Sequence, residues 1–244
     1  MNIYETDPLL HQYLLFHYGT AEDQLPYSFG PSESLFYPVR CVTEFLPGIG
    51  RVERALDLGC AVGRSTFELA RWADEVIGID LSSKFIAAAQ AMQKAGEVEI
   101  HILEEGQRFT TVTRKLDPEI DRSRCQFFVE DALHIGAELG TFDLVLAANL
   151  VDRVSRPVDL LAELKRLVRM GGHFILASPY TWLEEFTPHG NWLADASVST
   201  LSRIQELLGP ELVPVALKDL PFLIREHARK FQWSVAQGSV WKRS

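Results

Sequence analysis

The sequence predicts an α/β protein whose mostly parallel sheet is flanked by helices, and three observations predict it. From Arg54 onward, short apolar runs alternate with stretches of helical spacing, the pattern of strand, crossover helix and parallel strand. A glycine-bearing turn, Gly59-Cys60-Ala61-Val62-Gly63, joins the first such run to the first such helix. Acidic residues stand at the carboxyl ends of the next strands, Asp80 and Asp131, where open α/β sheets bind their ligands.

The elements follow in order. Leu9, Leu10, Tyr13, Leu14, Phe16 and His17 recur at near-helical spacing after an Asp7-Pro8 start signal, so a helix is expected over 4–18. Pro26, Gly30 and Pro31 then break the chain, and a second helical pattern runs over 32–45. Residues 1–50 thus read as a helical appendage to a main domain over 51–244. In that domain strands are expected at 55–58, 75–79, 125–129, 142–147 and 172–178, with helices at 63–72, 83–95 and 157–169. Alternation on both sides of Gly106 predicts a hairpin-like insertion over 98–116. An aromatic-rich loop over 179–196 leads to a helix at 199–208 and two late strands at 212–217 and 231–241.

Composition narrows the function. The 244 residues suffice for one well-buried core, and 47% hydrophobic with 23% charged residues is ordinary for a globular protein. A net charge of -9 without a dense Lys/Arg stripe disfavours nucleic acid and leaves a small molecule as the expected substrate. Neither a signal peptide nor a run approaching the ~20 apolar residues of a membrane span is present, so a cytoplasmic location without membrane attachment is expected. Cys41, Cys60 and Cys125 are odd in number and widely spaced, which argues for reduced thiols and no metal site.

The glycine turn carries the chemistry. Asp80 lies 21 residues after Gly59, the offset of a carboxylate that accepts hydrogen bonds from ribose hydroxyls. Asp131 can accept from an adenine amino group, and Asp57 at the end of the first strand can fix the loop near the ligand's amino group. Dinucleotides and S-adenosylmethionine are both bound by such arrangements. Three residues separate Gly59 from Gly63, so the tight G-x-G that admits a pyrophosphate is missing, which counts against a nicotinamide-dependent oxidoreductase.

Asp57-Leu58-Gly59-Cys60 with Gly63, and Asp80-Leu81-Ser82 after the second strand, resemble the class I methyltransferases over roughly residues 52–180. The resemblance implies a Rossmann-like seven-stranded sheet with a terminal antiparallel pair, S-adenosyl-L-methionine as cofactor and S-adenosyl-L-homocysteine as product. Cys60, Arg64, Leu81, Ala132 and Asn149 complete the candidate cofactor contacts. Tyr4-Glu5-Thr6-Asp7, the stretch from Tyr13 to Gly19, Ser178-Pro179-Tyr180-Thr181-Trp182-Leu183-Glu184-Glu185-Phe186 and Asn191-Trp192-Leu193 look like the methyltransferase module of ovothiol biosynthesis. Ala194-Asp195 stand where that module leads one to expect glycines. The module is usually the C-terminal domain of an iron-dependent sulfoxide synthase. The resemblance therefore implies N-methylation of the imidazole of 5-thiohistidine, with a separate synthase as pathway partner.

The residues can also be weighed by their chemistry. Methyl transfer from a sulfonium needs a neutral nucleophile on the methyl axis more than it needs acid catalysis. A zwitterionic amino acid needs a guanidinium for its carboxylate, from Arg40 or Arg153, although either can equally serve a plain salt bridge. Asn149 and Asp152 follow the fourth strand and are candidate substrate contacts. Tyr180, Trp182, His189, Asn191 and Trp192 crowd the loop after the fifth strand, a composition suited to a flat ring, with Tyr180 the first choice. His189 is either a proton acceptor or a surface histidine beside Pro188 and Gly190. Tyr13, His17 and Tyr18 either cover the cleft as a lid or simply pack. A noncatalytic cofactor-binding protein stands as the third reading, since a cofactor loop alone does not make an acceptor site.

Overall fold

The computed structural model describes residues 3–244; Met1 and Asn2, at the head of the segment 1–50, lie outside the described residues. Helices α1 (Asp7–Tyr18), α2 (Ala21–Gln24), α3 (Tyr37–Thr43) and α4 (Leu46–Ile49) precede strand β1 (Val52–Leu58). Then come α5 (Arg64–Leu69), β2 (Ala73–Asp80), α6 (Ser83–Ala95), and the hairpin of β3 (Glu97–Glu105) with β4 (Arg108–Lys115). The chain continues through β5 (Cys125–Val129), β6 (Phe142–Ala148), α7 (Pro157–Leu167), β7 (Val168–Ser178), α8 (Thr200–Leu208), β8 (Leu212–His227) and β9 (Lys230–Arg243).

Seven strands form one sheet in the order β5-β2-β1-β6-β7-β9-β8, and β3 with β4 forms a separate two-stranded sheet. The first five strands of that order run parallel, whereas β9 is antiparallel to both of its neighbours. The chain leaves β1 toward β2 and β5 and returns to β6 on its other side. This reversal opens a crevice at the carboxyl ends of β1 and β6, the place where such sheets take ligands.

Each central strand is buried on both faces, which is why its sequence reads as a continuous apolar run. Ala55 joins the core cluster that also holds Leu14, Phe16, Val42 and Phe67, whereas its neighbour Leu56 points to the opposite cluster, with Leu160, Leu164 and Ile204. Leu160 and Leu164 lie one turn apart on α7 and are fully buried. Each contributes at most about 2–3 kcal/mol of apolar burial. The segment 1–50 supplies Leu14, Phe16, Tyr37, Val42 and Leu46 to the core of one sheet face, so its helices and the sheet share apolar packing.

The expected hairpin over 98–116 is present as β3 and β4. Several boundaries move. The helix expected over 32–45 is a 3-10 turn at Ser32–Ser34 followed by α3, because Phe36 takes a left-handed backbone and Pro38 starts a new first turn. The helix expected over 63–72 ends at Leu69, and that over 157–169 ends at Leu167, where Val168 already pairs with Phe142 at the start of β7. The strand expected over 212–217 continues to His227 despite Lys218, Asp219 and Pro221. β8 is the edge of the sheet, so a proline without an N–H and solvated charges are tolerated there. Among the described residues no helix is long and apolar enough to cross a membrane.

Candidate active site at the carboxyl ends of the strands

A cavity of about 580 Å³ opens where β1, β2, β5 and β6 end, lined among others by Gly59, Asp80, Asp131 and Asn149. A larger groove, about 1040 Å³, runs between α1 and the β3–β4 hairpin, away from the strand ends, and none of the expected site residues lines it.

One end of the cavity is built from backbone. Gly59 N–H and Cys60 N–H both donate to Ile79 O, at 2.8 and 3.0 Å, which clamps the β1–α5 turn against β2. Ala61 N–H donates to Asp80 Oδ2 (3.0 Å) and Ser82 N–H to Asp80 Oδ1 (2.8 Å), so this carboxylate is aimed before any ligand arrives. Burial raises the Asp80 pKa, and the two N–H donors work against that rise. Asp57 is buried behind the turn, where its Oδ2 accepts from the hydroxyls of Ser65 and Thr66, both at 2.7 Å. Burial pushes its carboxyl up to about 6. Its place in the structure is to tie the turn to α5, while Ser65 lines the cavity.

The two glycines differ. Gly59, at φ +73°, lines the cavity, and a Cβ on it would come within 3.1 Å of Leu150. Gly63, at φ +88°, does not line it; a Cβ there would lie 2.8 Å from Phe127 and 3.0 Å from Ala89, so its lack of a side chain serves helix packing. Cys60 is fully buried and Arg64 pairs with Glu68 at 2.9 Å, so these two expected cofactor contacts also face away, because α5 turns inward from the loop. Asp131, Ala132 and Leu81 do line the cavity, with Leu81 62% exposed as open apolar surface. Asp131 accepts from Leu133 N–H (2.9 Å) and sits 3.0 Å from His134 Nδ1. Glu130, not expected from the sequence, lines the cavity too, and its Oε2 is buried without a partner among the described residues.

The other end is aromatic. Tyr13 and His17 from α1, and Asn149 and Arg153 after β6, line it as expected. Tyr4, Phe16, Tyr37 and Phe186 complete the wall and were not expected. Tyr4 meets Tyr13 edge-on at 6.1 Å and Phe186 at 6.0 Å, so the N-terminal segment and the loop after β7 meet over the cavity. Arg153 stacks its guanidinium 5.0 Å from the Phe186 ring and donates through Nη1 to the carbonyls of Asp152 and Thr181. Burial, with Arg64 adding repulsion, lowers the His17 pKa to about 3, so its ring is neutral.

The remaining acceptor candidates are placed elsewhere. Tyr180 does not line the cavity; its hydroxyl hydrogen-bonds Gln237 at 3.3 Å on β9. Asp152 is fully buried, accepting from Thr181 N–H (2.7 Å) and pairing with Arg153 (3.1 Å), so it braces the loop. Trp182 Nε1 donates to Thr200 Oγ1, Asn191 Nδ2 to Ser155 O and Trp192 Nε1 to Thr187 O, at 3.1, 2.9 and 2.8 Å. His189 packs on Trp192 at 4.5 Å. Tyr18 donates to Val62 O (2.6 Å), and Arg40 to Pro221 O (2.8 Å) beside Glu44. Asn191, Trp192, Tyr18 and Arg40 supply carbonyls with donors, and Trp182 and Tyr180 bond other side chains. The signal for Phe186 was available in the Glu184-Glu185-Phe186 stretch, whereas Tyr4 and Tyr37 reach the site only through tertiary packing.

Residues 56–176 match the family described as methyltransferase domain. The span runs from β1 to the body of β7 and contains the glycine turn, Asp80, Asp131 and Asn149. Residues 56–176 are thus a methyltransferase domain, and the sheet that carries it has the fold of the S-adenosylmethionine-dependent methyltransferases. The ubiquinone biosynthesis O-methyltransferase of Burkholderia multivorans is 29% identical over 120 residues, 49% of this chain and 41% of that protein. The Vibrio parahaemolyticus counterpart is 24% identical over 126 residues, 52% of this chain and 43% of its own. The matches thus span less than half the length of these relatives. Among solved structures, the N-methyltransferase NodS of Bradyrhizobium japonicum with S-adenosylhomocysteine superposes with a TM-score of 0.53 at 15% identity, covering 84% of this chain and 83% of that one. The magnesium protoporphyrin IX methyltransferase of Synechocystis with bound S-adenosylmethionine gives 0.54 at 15% identity over the full length of both.

The methyltransferase's residues fit this cofactor. Asp80 keeps lone pairs on both oxygens after its two backbone bonds, enough for two ribose hydroxyls, and Gly59 leaves room beside it that a Cβ would fill. Asp131, Ala132 and Leu81 offer an acceptor and an apolar face to a purine. When bound, S-adenosylmethionine supplies a methyl on positively charged sulfur. Asp80, Glu130 and Asp131 would favour that charge in the cavity, and the aromatic end offers apolar walls beside it.

Proposed function

We propose that this methyltransferase transfers the methyl group to an imidazole nitrogen of 5-thiohistidine, giving ovothiol. The observation that carries the reading is the acceptor end of the cavity. A flat ring is matched by the walls of Tyr4, Tyr13, Phe16 and Phe186, a carboxylate by Arg153, and an acceptor atom of the ring or its thiolate by Asn149. The sequence stretches at Tyr4–Asp7 and Ser178–Phe186 support the same substrate, and NodS shows an N-methyltransferase on this fold. A neutral imidazole attacks through its lone pair, so no strong base is needed. The one proton released passes to solvent, since burial makes His17 too weak a base to hold it. A separate sulfoxide synthase would supply the thiohistidine, and both would work in the cytoplasm, where the free Cys41, Cys60 and Cys125 stay reduced.

A second reading, O-methylation of a phenolic ring, is favoured by the names of the relatives and by the same aromatic walls. Incubation with S-adenosylmethionine and each acceptor, followed by mass spectrometry with fragment assignment, separates the two. Gain of one methyl on the thiohistidine ring is expected. No gain there, with methylation of a phenol, would replace the first reading by the second.

A further inference from the structure

Tyr37 is buried, lies on α3 far from the glycine turn in sequence, and donates its hydroxyl proton to Asn149 Oδ1 at 2.8 Å. Asn149 is held once more, by its N–H on Ala177 O (2.7 Å), and its left-handed backbone, φ 52°, is one that asparagine tolerates. With Oδ1 engaged, the carboxamide has one orientation. Its Nδ2, which has no partner among the described residues, is the group left for the cavity that Asn149 and Tyr37 both line.

We infer that Tyr37 is a specificity-determining positioning residue: it fixes Asn149 as a hydrogen-bond donor to the acceptor substrate. The consequence is chemical selection. An N–H pair facing the substrate accepts a lone pair, so it favours a thiolate, a carboxylate or an unprotonated ring nitrogen and disfavours a group that itself carries a proton. Without the Tyr37 hydroxyl the carboxamide can turn over and offer an oxygen instead. This rests on the thiohistidine reading only for the identity of the probe.

The experiment is a double-mutant cycle on the S-adenosylhomocysteine complex, with Y37F, N149A and the double variant. Calorimetric titration with 5-thiohistidine should give roughly tenfold weaker binding for Y37F, an equal or larger loss for N149A, and no further loss in the double variant. Affinity for S-adenosylhomocysteine should stay within about twofold throughout. Unchanged thiohistidine affinity in Y37F, or losses that add in the double variant, would overturn the inference. A second readout needs no acceptor: the Asn149 side-chain amide pair in a ¹⁵N-¹H spectrum, assigned by its loss in N149A, should shift in Y37F. If the parent enzyme does not bind thiohistidine, the substrate reading fails alone. If the amide pair is unmoved by Y37F, the assignment to Tyr37 fails whatever the substrate.

Discussion

The two ends of the cavity are held by different forces. At the cofactor end the fixing contacts are backbone N–H groups on a carboxylate and hydroxyls on another, all from residues within one βαβ unit. At the acceptor end they are ring packings and single side-chain bonds between segments over a hundred residues apart, such as Tyr37 with Asn149 and Tyr4 with Phe186. A carboxylate clamped by peptide groups does not reorganise, and it recognises one ligand group in one place. A wall of aromatic rings has area and little directionality, so it can be rebuilt for another ring by a few substitutions while the cofactor end stays unchanged.

The largest effect that sharpens this contrast concerns Gly63. If its role is packing behind the cofactor loop, Gly63→Ala forces a Cβ at φ +88° into Phe127 and should lower stability by about 2–4 kcal/mol in urea denaturation of the ligand-free protein. A variant that folds normally but no longer binds S-adenosylhomocysteine would instead make Gly63 a direct ligand contact. Next in size, Asp80→Ala should weaken S-adenosylhomocysteine by about 1.5–3 kcal/mol in calorimetry, with acceptor KM little changed. Equal losses on both ligands would mean that the two ends are not separable.

How much of each end was legible follows from the same contrast. Asp57, Gly59, Asp80 and Asp131 could be read because their constraints are local: a turn after a strand, an offset from that turn, an acid at a strand end. The sheet was readable for the same reason, from period and punctuation, while strand β8 outran its expected end because edge position is a tertiary property. Local pattern also pointed to Gly63, Cys60 and Arg64, which belong to the motif but do not line the cavity: Gly63 packs on Phe127, Cys60 is buried and Arg64 pairs with Glu68. At the acceptor end composition pointed to the loop after β7, which reaches the cavity through Glu185 and Phe186 and not through Tyr180, Trp182, Asn191 or Trp192. Trp182, Asn191 and Trp192 look like ligand contacts because they are amphipathic, yet that same property lets them hold the Thr200 hydroxyl and the carbonyls of Ser155 and Thr187. Tyr37 gave no signal, since a tyrosine in an N-terminal helix is ordinary until the fold brings it to Asn149.

His17 provides a smaller test across pH. Its folded pKa, about 3, lies below the ordinary imidazole value, so between the two the unfolded chain binds the extra proton. The associated stability is complete above the ordinary value, and it falls by about 1.4 kcal/mol for each pH unit below it until the folded pKa is reached. His11 and His173, also lowered by burial, add to the slope. Denaturation at a series of pH values should show a shallower acid loss in His17→Gln than in the parent. Parallel slopes would mean that His17 titrates in the fold as it does in the unfolded chain.

The smallest expected effect decides which arginine serves the acceptor. Arg40 and Arg153 looked alike in sequence, but Arg40 lies outside the cavity, with Nη1 on the Pro221 carbonyl and Nε beside Glu44 on its own helix. Arg153 lines the cavity and sits against Phe186. Arg40→Gln therefore removes one carbonyl hydrogen bond and a partly exposed ion pair, about 1 kcal/mol of stability or less. Acceptor KM should stay within about twofold, because no substrate group is touched. A tenfold rise in KM with unchanged S-adenosylhomocysteine affinity would move the carboxylate partner to Arg40. It would also show that the Arg40 side chain leaves the Pro221 carbonyl on β8 to reach the substrate, making the acceptor end a moving wall rather than a fixed one.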